Sequence, residues 1–369
     1  MHRSKFDYRS YRGRTTMTDW LKRIALILAV LVILAVAVLV VGQDFITYTD
    51  DGIRFHLPFS SQSEGAQLPD PGNVNVIEGD PSALPDASQE ASEEPVQAPV
   101  ETQANALLSV PLSALTDGSA AQLAQEAGAD GILVDMKNAA GALGWQSQQA
   151  LASTLQEGVD SSTINGALTA WNEGDVYTAA KASCFRDEAL GSNMEYTLRT
   201  SSGYRWRDSG DSHWTSPSNA AVRDYLVGLM VELAQMGFDE IVLEDFGYPT
   251  QADGTLSNLQ RGEDNYPEGA LDTVVTDFLA QAAQALEPYG TKLSLHAAAD
   301  TFTGADAGTG LTVAALNASV ERIWTEGAAG ELLAALEEAG VERAQERLVT
   351  LVEQLDVSQS GAQATWPEE

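Results

Sequence analysis

Two carboxylates side by side, Glu244 and Asp245, close an apolar run in the stretch MGFDEIVLEDFGYP, residues 236–249. Gly237 reads as the stop of a preceding helix, because glycine takes a positive φ without steric cost. Ile241, Val242 and Leu243 then make the short aliphatic run of a strand buried on both faces. Acids at the carboxyl end of such a strand stand where barrels and open α/β sheets keep their chemistry. Glu244 shares the parity of Val242, whereas Asp245, by strand alternation, points to the other face. An acidic surface turn is the alternative, in a chain where 53 of 369 residues are Asp or Glu.

Four further candidate strands place polar groups in the same way. Asp135 and Lys137 share a face in GILVDMKN; Lys181 and Ser183 share one in AAKASCFRD, with Arg186 and Asp187 just beyond. Ser294 and His296 do so in KLSLHAA, and Trp324 and Glu326 in RIWTEG. Charges inside apolar runs are costly to bury alone, so a shared polar mouth with mutual pairing is expected. Two structural ion pairs, Asp135–Lys181 and Glu244–Lys137, would satisfy the same pattern. Residues 203–219, GYRWRDSGDSHWTSPSN, exceed the usual α/β connection of about 2–6 residues. They bring Trp206, Asp208 and Trp214 to the carboxyl face, where indole rings can stack on the apolar faces of a saccharide or pack against the rim.

These groups need a scaffold. Candidate strands are 106–110, 131–136, 176–185, 240–244, 292–297, 322–325 and 347–352; candidate helices are 120–126, 162–171, 220–236, 271–286, 313–319 and 328–339. Strand-helix alternation over residues 105–355 predicts an α/β fold, most economically a (β/α)8-type TIM barrel. Seven strands are legible. The remaining VSQSGAQATWPEE reads as a C-terminal tail, 356–369, which leaves the barrel incomplete or its eighth strand without a signature.

Ahead of the barrel the chain reads as an address. Residues 1–23 hold seven bases and two acids, against 13 bases and 51 acids in the rest. Ile24 to Val41 is unbroken apolar sequence, about 27 Å long as a helix, which predicts a single span over 24–42 with the basic tail in the cytoplasm. A cleaved signal peptide would have a shorter apolar core and a small-residue cleavage site. Residues 43–59 alternate around Asp51-Gly52 as a short β-hairpin. Residues 60–104 carry six Pro, nine acids and no base, the composition of an extended linker. One cysteine, Cys184, allows no internal disulfide, and the acidic C-terminal domain argues against nucleic acid as a partner.

In order and spacing, four segments resemble a bacterial family of extracellular glycoside hydrolases, TIM barrels distantly similar to the α-amylase clan. GILVDMKNAAGAL is similar to a hydrophobic-D-x-K-D-x-x-G segment and AKASCFRD to A-R-I-V-x-F-K-D. WRDSGDSHWTSP is similar to W-x-D…W-x-D-P, and GFDEIVLEDFGYP to G-F-D-E-I-x-F-D-Y-x-R-F-P. The likeness covers roughly residues 105–303 and puts Glu244 where the family has its strand-four Asp. Ser216, Gly247 and His296 stand where the family has Asp, Arg and Asp.

The resemblance, taken with the anchor, implies a membrane-anchored, extracellular hydrolase of a cell-envelope or external polysaccharide; four His without paired spacing speak against a metal, and no cofactor is expected. Glycosidic cleavage takes one protonated and one ionised carboxyl; Glu244 is one, and Asp135, Asp187 or Glu326 the other. Lys137, Lys181, Arg186, Trp206, Asp208, Trp214, Asp245, Tyr248, His296 and Trp324 would bind substrate. The departures keep a second reading open, a catalytically degenerate barrel that binds saccharide or envelope.

Overall fold

A computed structural model describes residues 46–49, 52–55 and 103–367. The tail 1–23, the span 24–42 and linker residues 60–102 lie outside the described residues. Among the described residues, no helix is long and apolar enough to cross a membrane. The chain divides into two units, residues 1–93 and 94–369. In the first, β1 (Ile46–Thr49) pairs antiparallel with β2 (Gly52–Phe55). Thr49 pairs with Gly52, which places Gly52, expected in the turn, within β2; residues 50–51 lie outside the described residues.

The second unit is a closed barrel of eight parallel strands. They are β3 (Ala106–Ser109), β4 (Gly131–Lys137), β5 (Tyr177–Ser183), β6 (Glu240–Glu244), β7 (Lys292–His296), β8 (Arg322–Glu326), β9 (Leu348–Leu351) and β10 (Ala362–Ala364). All seven legible strands and all six predicted helices are present, with ends shifted by at most two residues. The eighth strand lies inside the stretch read as a tail. Ala-Gln-Ala has no β-branched or aliphatic run to announce it; it is a strand because β3 and β9 offer it backbone partners on both sides.

Strand alternation splits the core into two layers. Ile132, Val134, Ala180, Ile241 and Leu243 face outward onto helices such as Ala220–Gln235 and Leu271–Leu286, whose buried Leu226, Leu229, Phe278 and Leu279 complete that layer. Each fully buried aliphatic side chain contributes about 1.5–3 kcal/mol. Asn219 starts the first of these helices by accepting from the Ala221 and Val222 amides. Leu107, Leu133, Ala179, Val242, Trp324, Val349 and Ala364 fill the barrel interior.

The amino-terminal end of the interior is closed by a buried polar knot. Glu240 accepts from Tyr177 Oη at 3.0 Å and Trp324 Nε1 at 2.9 Å, and Arg322 Nε lies 3.6 Å away. Trp324, expected to bind substrate, is thus corrected to an interior residue with no exposed surface, tied to the end opposite the mouth.

Candidate active site at the carboxyl end of the barrel

Register brings the polar residues together. Asp135 faces Lys181 across β4 and β5, and Ser183 faces Glu244 across β5 and β6. Lys181 Nζ lies 3.4 Å from Asp135 Oδ2 and 3.1 Å from Glu244 Oε2, so the two facing oxygens are at most 6.5 Å apart. On the other side, His296 Nδ1 lies 3.3 Å from Glu244 Oε1, a contact off the best hydrogen-bond direction. Glu244 therefore sits between the Lys181 ammonium and the His296 imidazole, as an inward parity requires.

Lys137 does not join this cluster. A bulge in β4 between Asp135 and Lys137 breaks the two-residue alternation, so Lys137 aligns with Ala182. Its ammonium, buried beside Leu226 and Met230, binds Asp187 Oδ2 at 2.9 Å and the Ser183 carbonyl at 2.7 Å. Asp187 uses its other oxygen to cap the turn Glu188–Gly191 through the Leu190 amide. The expected Glu244–Lys137 pair is replaced by Lys137–Asp187, and Asp187 is 2% exposed with both oxygens engaged. Glu326 is exposed at the end of β8, and among the described residues no ion pair joins it to Lys181.

Asp245 departs from its expected face. Its φ is +51°, a left-handed conformation that a short polar side chain tolerates, and the strand ends there. The carboxyl turns back to Ser183, whose Oγ is 2.7 Å from Asp245 Oδ2 and 2.9 Å from the Arg186 carbonyl. One hydroxyl proton cannot serve two acceptors. The Ser183 hydroxyl therefore donates to the Asp245 carboxylate or to the Arg186 carbonyl, one at a time. Glu244 and Asp245 consequently line one cleft of about 260 Å³, with Trp214, Tyr248, His296 and Asp300. A larger groove of about 420 Å³, lined by residues between 327 and 363, shares no residue with it.

The two carboxyls are pushed apart in acidity. Burial alone would raise Glu244; contact with His296 and the charge of Lys181 overcome it and hold the group at about 2. Burial raises Asp245 to about 7, reinforced by the negative charge of Glu244 and opposed by Ser183 and Arg186. Asp135 is also raised, by burial first, with Lys181 opposing. For Lys181 burial is outweighed by Glu244 and Asp135, and its pKa rises.

The aromatic loop packs both of its indoles and leaves Tyr204 exposed. Trp206 is 1% exposed, meets Trp214 edge-on at 6.3 Å and donates to the Thr255 carbonyl. Asp208 gathers the loop, accepting from Arg186 Nε at 2.8 Å, Trp214 Nε1 at 3.1 Å and the Gly210 and Ser212 amides. Ser216 bonds the Asn265 carbonyl, and Tyr248 Oη lies 2.7 Å from Ser218 Oγ. Gly247, where the resemblance has Arg, has no room for a side chain: a Cβ would lie 2.3 Å from the Thr309 carbonyl oxygen. Trp366, read as tail, stacks on His296 with ring centroids 4.0 Å apart. Its one sequence signal is an aromatic residue directly after the short Ala-Gln-Ala-Thr run. Among the described residues no cluster of His, Cys, Asp and Glu is arranged to hold a metal ion.

A family model described as "Putative glycosyl hydrolase domain" (DUF4015) matches residues 114–324, more than half of the chain. Similar solved structures include a hypothetical protein from Ruminiclostridium thermocellum, 21% identical, covering 51% of this chain and 96% of its own, TM-score 0.43. The glycoside hydrolase domain of PgaB (BpsB) from Bordetella bronchiseptica is 10% identical over 72% of this chain and 94% of its own, TM-score 0.48. Ega3 from Aspergillus fumigatus, in complex with galactosamine, is 11% identical over 67% and 76%, TM-score 0.40. No curated protein sequence matches the chain.

Proposed function

The chain belongs to the DUF4015 family of glycosyl hydrolase domains, and from that premise we propose that it hydrolyses O-glycosidic bonds of a polysaccharide or oligosaccharide. The observation that supports this is the pair of carboxyls lining one cleft, Glu244 held at about 2 and Asp245 at about 7. Environments that separate two acids in this way assign an ionised and a protonated role. Glu244 is the anion that stabilises or attacks the oxocarbenium-like centre, and Asp245 protonates the leaving oxygen. Lys181 and His296 keep Glu244 ionised, Asp135 balances Lys181, and Trp214 and Tyr248 shape the cleft wall.

The apolar run 24–41 and its basic flank support a single-pass anchor with the barrel outside the cell. Protease added to intact cells then removes the barrel and spares the basic tail; protection of the barrel overturns the anchor. The hydrolytic reading is tested by incubating the full chain with cell-envelope and external polysaccharides and measuring new reducing ends. Turnover abolished in Glu244→Gln supports it. Saccharide binding without turnover in the wild type establishes the degenerate, binding barrel instead.

A further inference from the structure

The segment after β10 is fixed rather than trailing. Thr365 donates its amide to the Leu107 carbonyl at 3.0 Å, and its Oγ1 accepts from the Ser109 amide at 2.7 Å. Both contacts pin it to β3 and project the next residue, Trp366, over the barrel interior. The indole packs 6.1 Å from Trp324, stacks at 4.0 Å and 36° on His296, and has Lys181 Nζ 5.7 Å from its ring centroid. The two groups that hold the Glu244 carboxylate, His296 and Lys181, thus share one aromatic neighbour.

We propose that Trp366 is a positioning residue, whose indole keeps the His296 imidazole against Glu244 and thereby sets the protonation of that carboxylate. An imidazole turns about two side-chain bonds, and His296 is partly exposed at the end of β7, so the contact with Glu244 needs a backing surface. The indole supplies it, and its ring face also favours cationic neighbours. The groups facing Glu244 are Lys181 from β5, Asp135 from β4, His296 from β7 and Asp245 beside it in the chain. Of these, His296 is the one that Trp366 stacks upon. The consequence for turnover rests on the hydrolytic reading above; the consequence for Glu244 itself does not.

The test is the carboxyl titration of Glu244 in the full chain, followed by 13C NMR with labelled glutamate and assigned by its absence in Glu244→Gln. Trp366→Ala is expected to move the Glu244 midpoint up by roughly one unit or more, while Trp366→Phe, which keeps a ring, moves it less. His296→Gln alone should give a similar rise, and Trp366→Ala added to it should give none. An unchanged midpoint in Trp366→Ala overturns the proposal, as does a rise that adds in full to that of His296→Gln. If melting shows that Trp366→Ala does not fold, Trp366→Leu takes its place under the same criteria. Absence of turnover on every saccharide would overturn hydrolysis and leave this titration result standing.

Discussion

Glu244 and Asp245 are neighbours in the chain, yet both present carboxyls to one cleft, because Asp245 leaves the strand at φ +51° and turns back onto Ser183. Strand alternation would have separated them. Both Glu244→Gln and Asp245→Asn should therefore lower kcat, each by roughly 100- to 10,000-fold, with KM little changed. Asp135→Asn, whose partner is Lys181 and which is not among the cleft-lining residues, should cost less. Steady-state kinetics of the three variants decide the order, and equal losses in all three would make the cluster an ion-pair scaffold.

The pH profile follows from the same pair. Catalysis needs Asp245 protonated and Glu244 ionised, so kcat/KM should fall as pH rises through about 7 and hold on the acid side until the protein unfolds or pH nears 2. Stability carries a matching sign. A carboxyl whose folded pKa is raised stabilises fully below its unfolded value of 3.8 and loses that contribution as pH rises through about 7. Glu244, depressed from 4.5 to about 2, stabilises above 4.5 and loses its contribution as pH falls between those values. Denaturant midpoints from pH 4 to 8 should decline through about 7 in the wild type, and flatten in Asp245→Asn.

Lys181 holds two buried or half-buried carboxylates with one ammonium. Lys181→Met leaves them facing each other without a cation, and breaking such a pair costs about 3–5 kcal/mol. Thermal melting should show the loss, and Asp135→Leu added to Lys181→Met should recover part of it. Full stability in Lys181→Met would mean that solvent already screens the cluster.

How much of this was legible in the sequence depends on what fixed each residue. Val242, Lys181, Asp135 and His296 follow strand parity, so their meeting at the mouth could be anticipated. Lys137 could not, since the bulge that turns it outward has no residue signature. Asp245 escaped because a single αL residue ends the alternation. Trp206, Trp214 and Trp324 were read by residue type alone, which says an indole will be placed but not whether its face is covered. Trp366 was hidden because the strand before it owes its existence to backbone partners on β9 and on β3, the latter more than 200 residues away in sequence.

That strand gives the last prediction. Without residues 359–369, β3 and β9 lose their shared partner, and two parallel edges stand open to other chains. The truncated protein should aggregate or melt well below the full chain, by size-exclusion chromatography and calorimetry. Removal of Glu368 and Glu369 alone should change neither. Gln363→Pro isolates the backbone contribution, because the Gln363 amide donates to the Asn105 carbonyl at 2.8 Å. Proline removes that donor within a strand paired on both sides, so Gln363→Pro should destabilise while Gln363→Val does so far less. A truncation that melts with the full chain would mean that the barrel closes without β10.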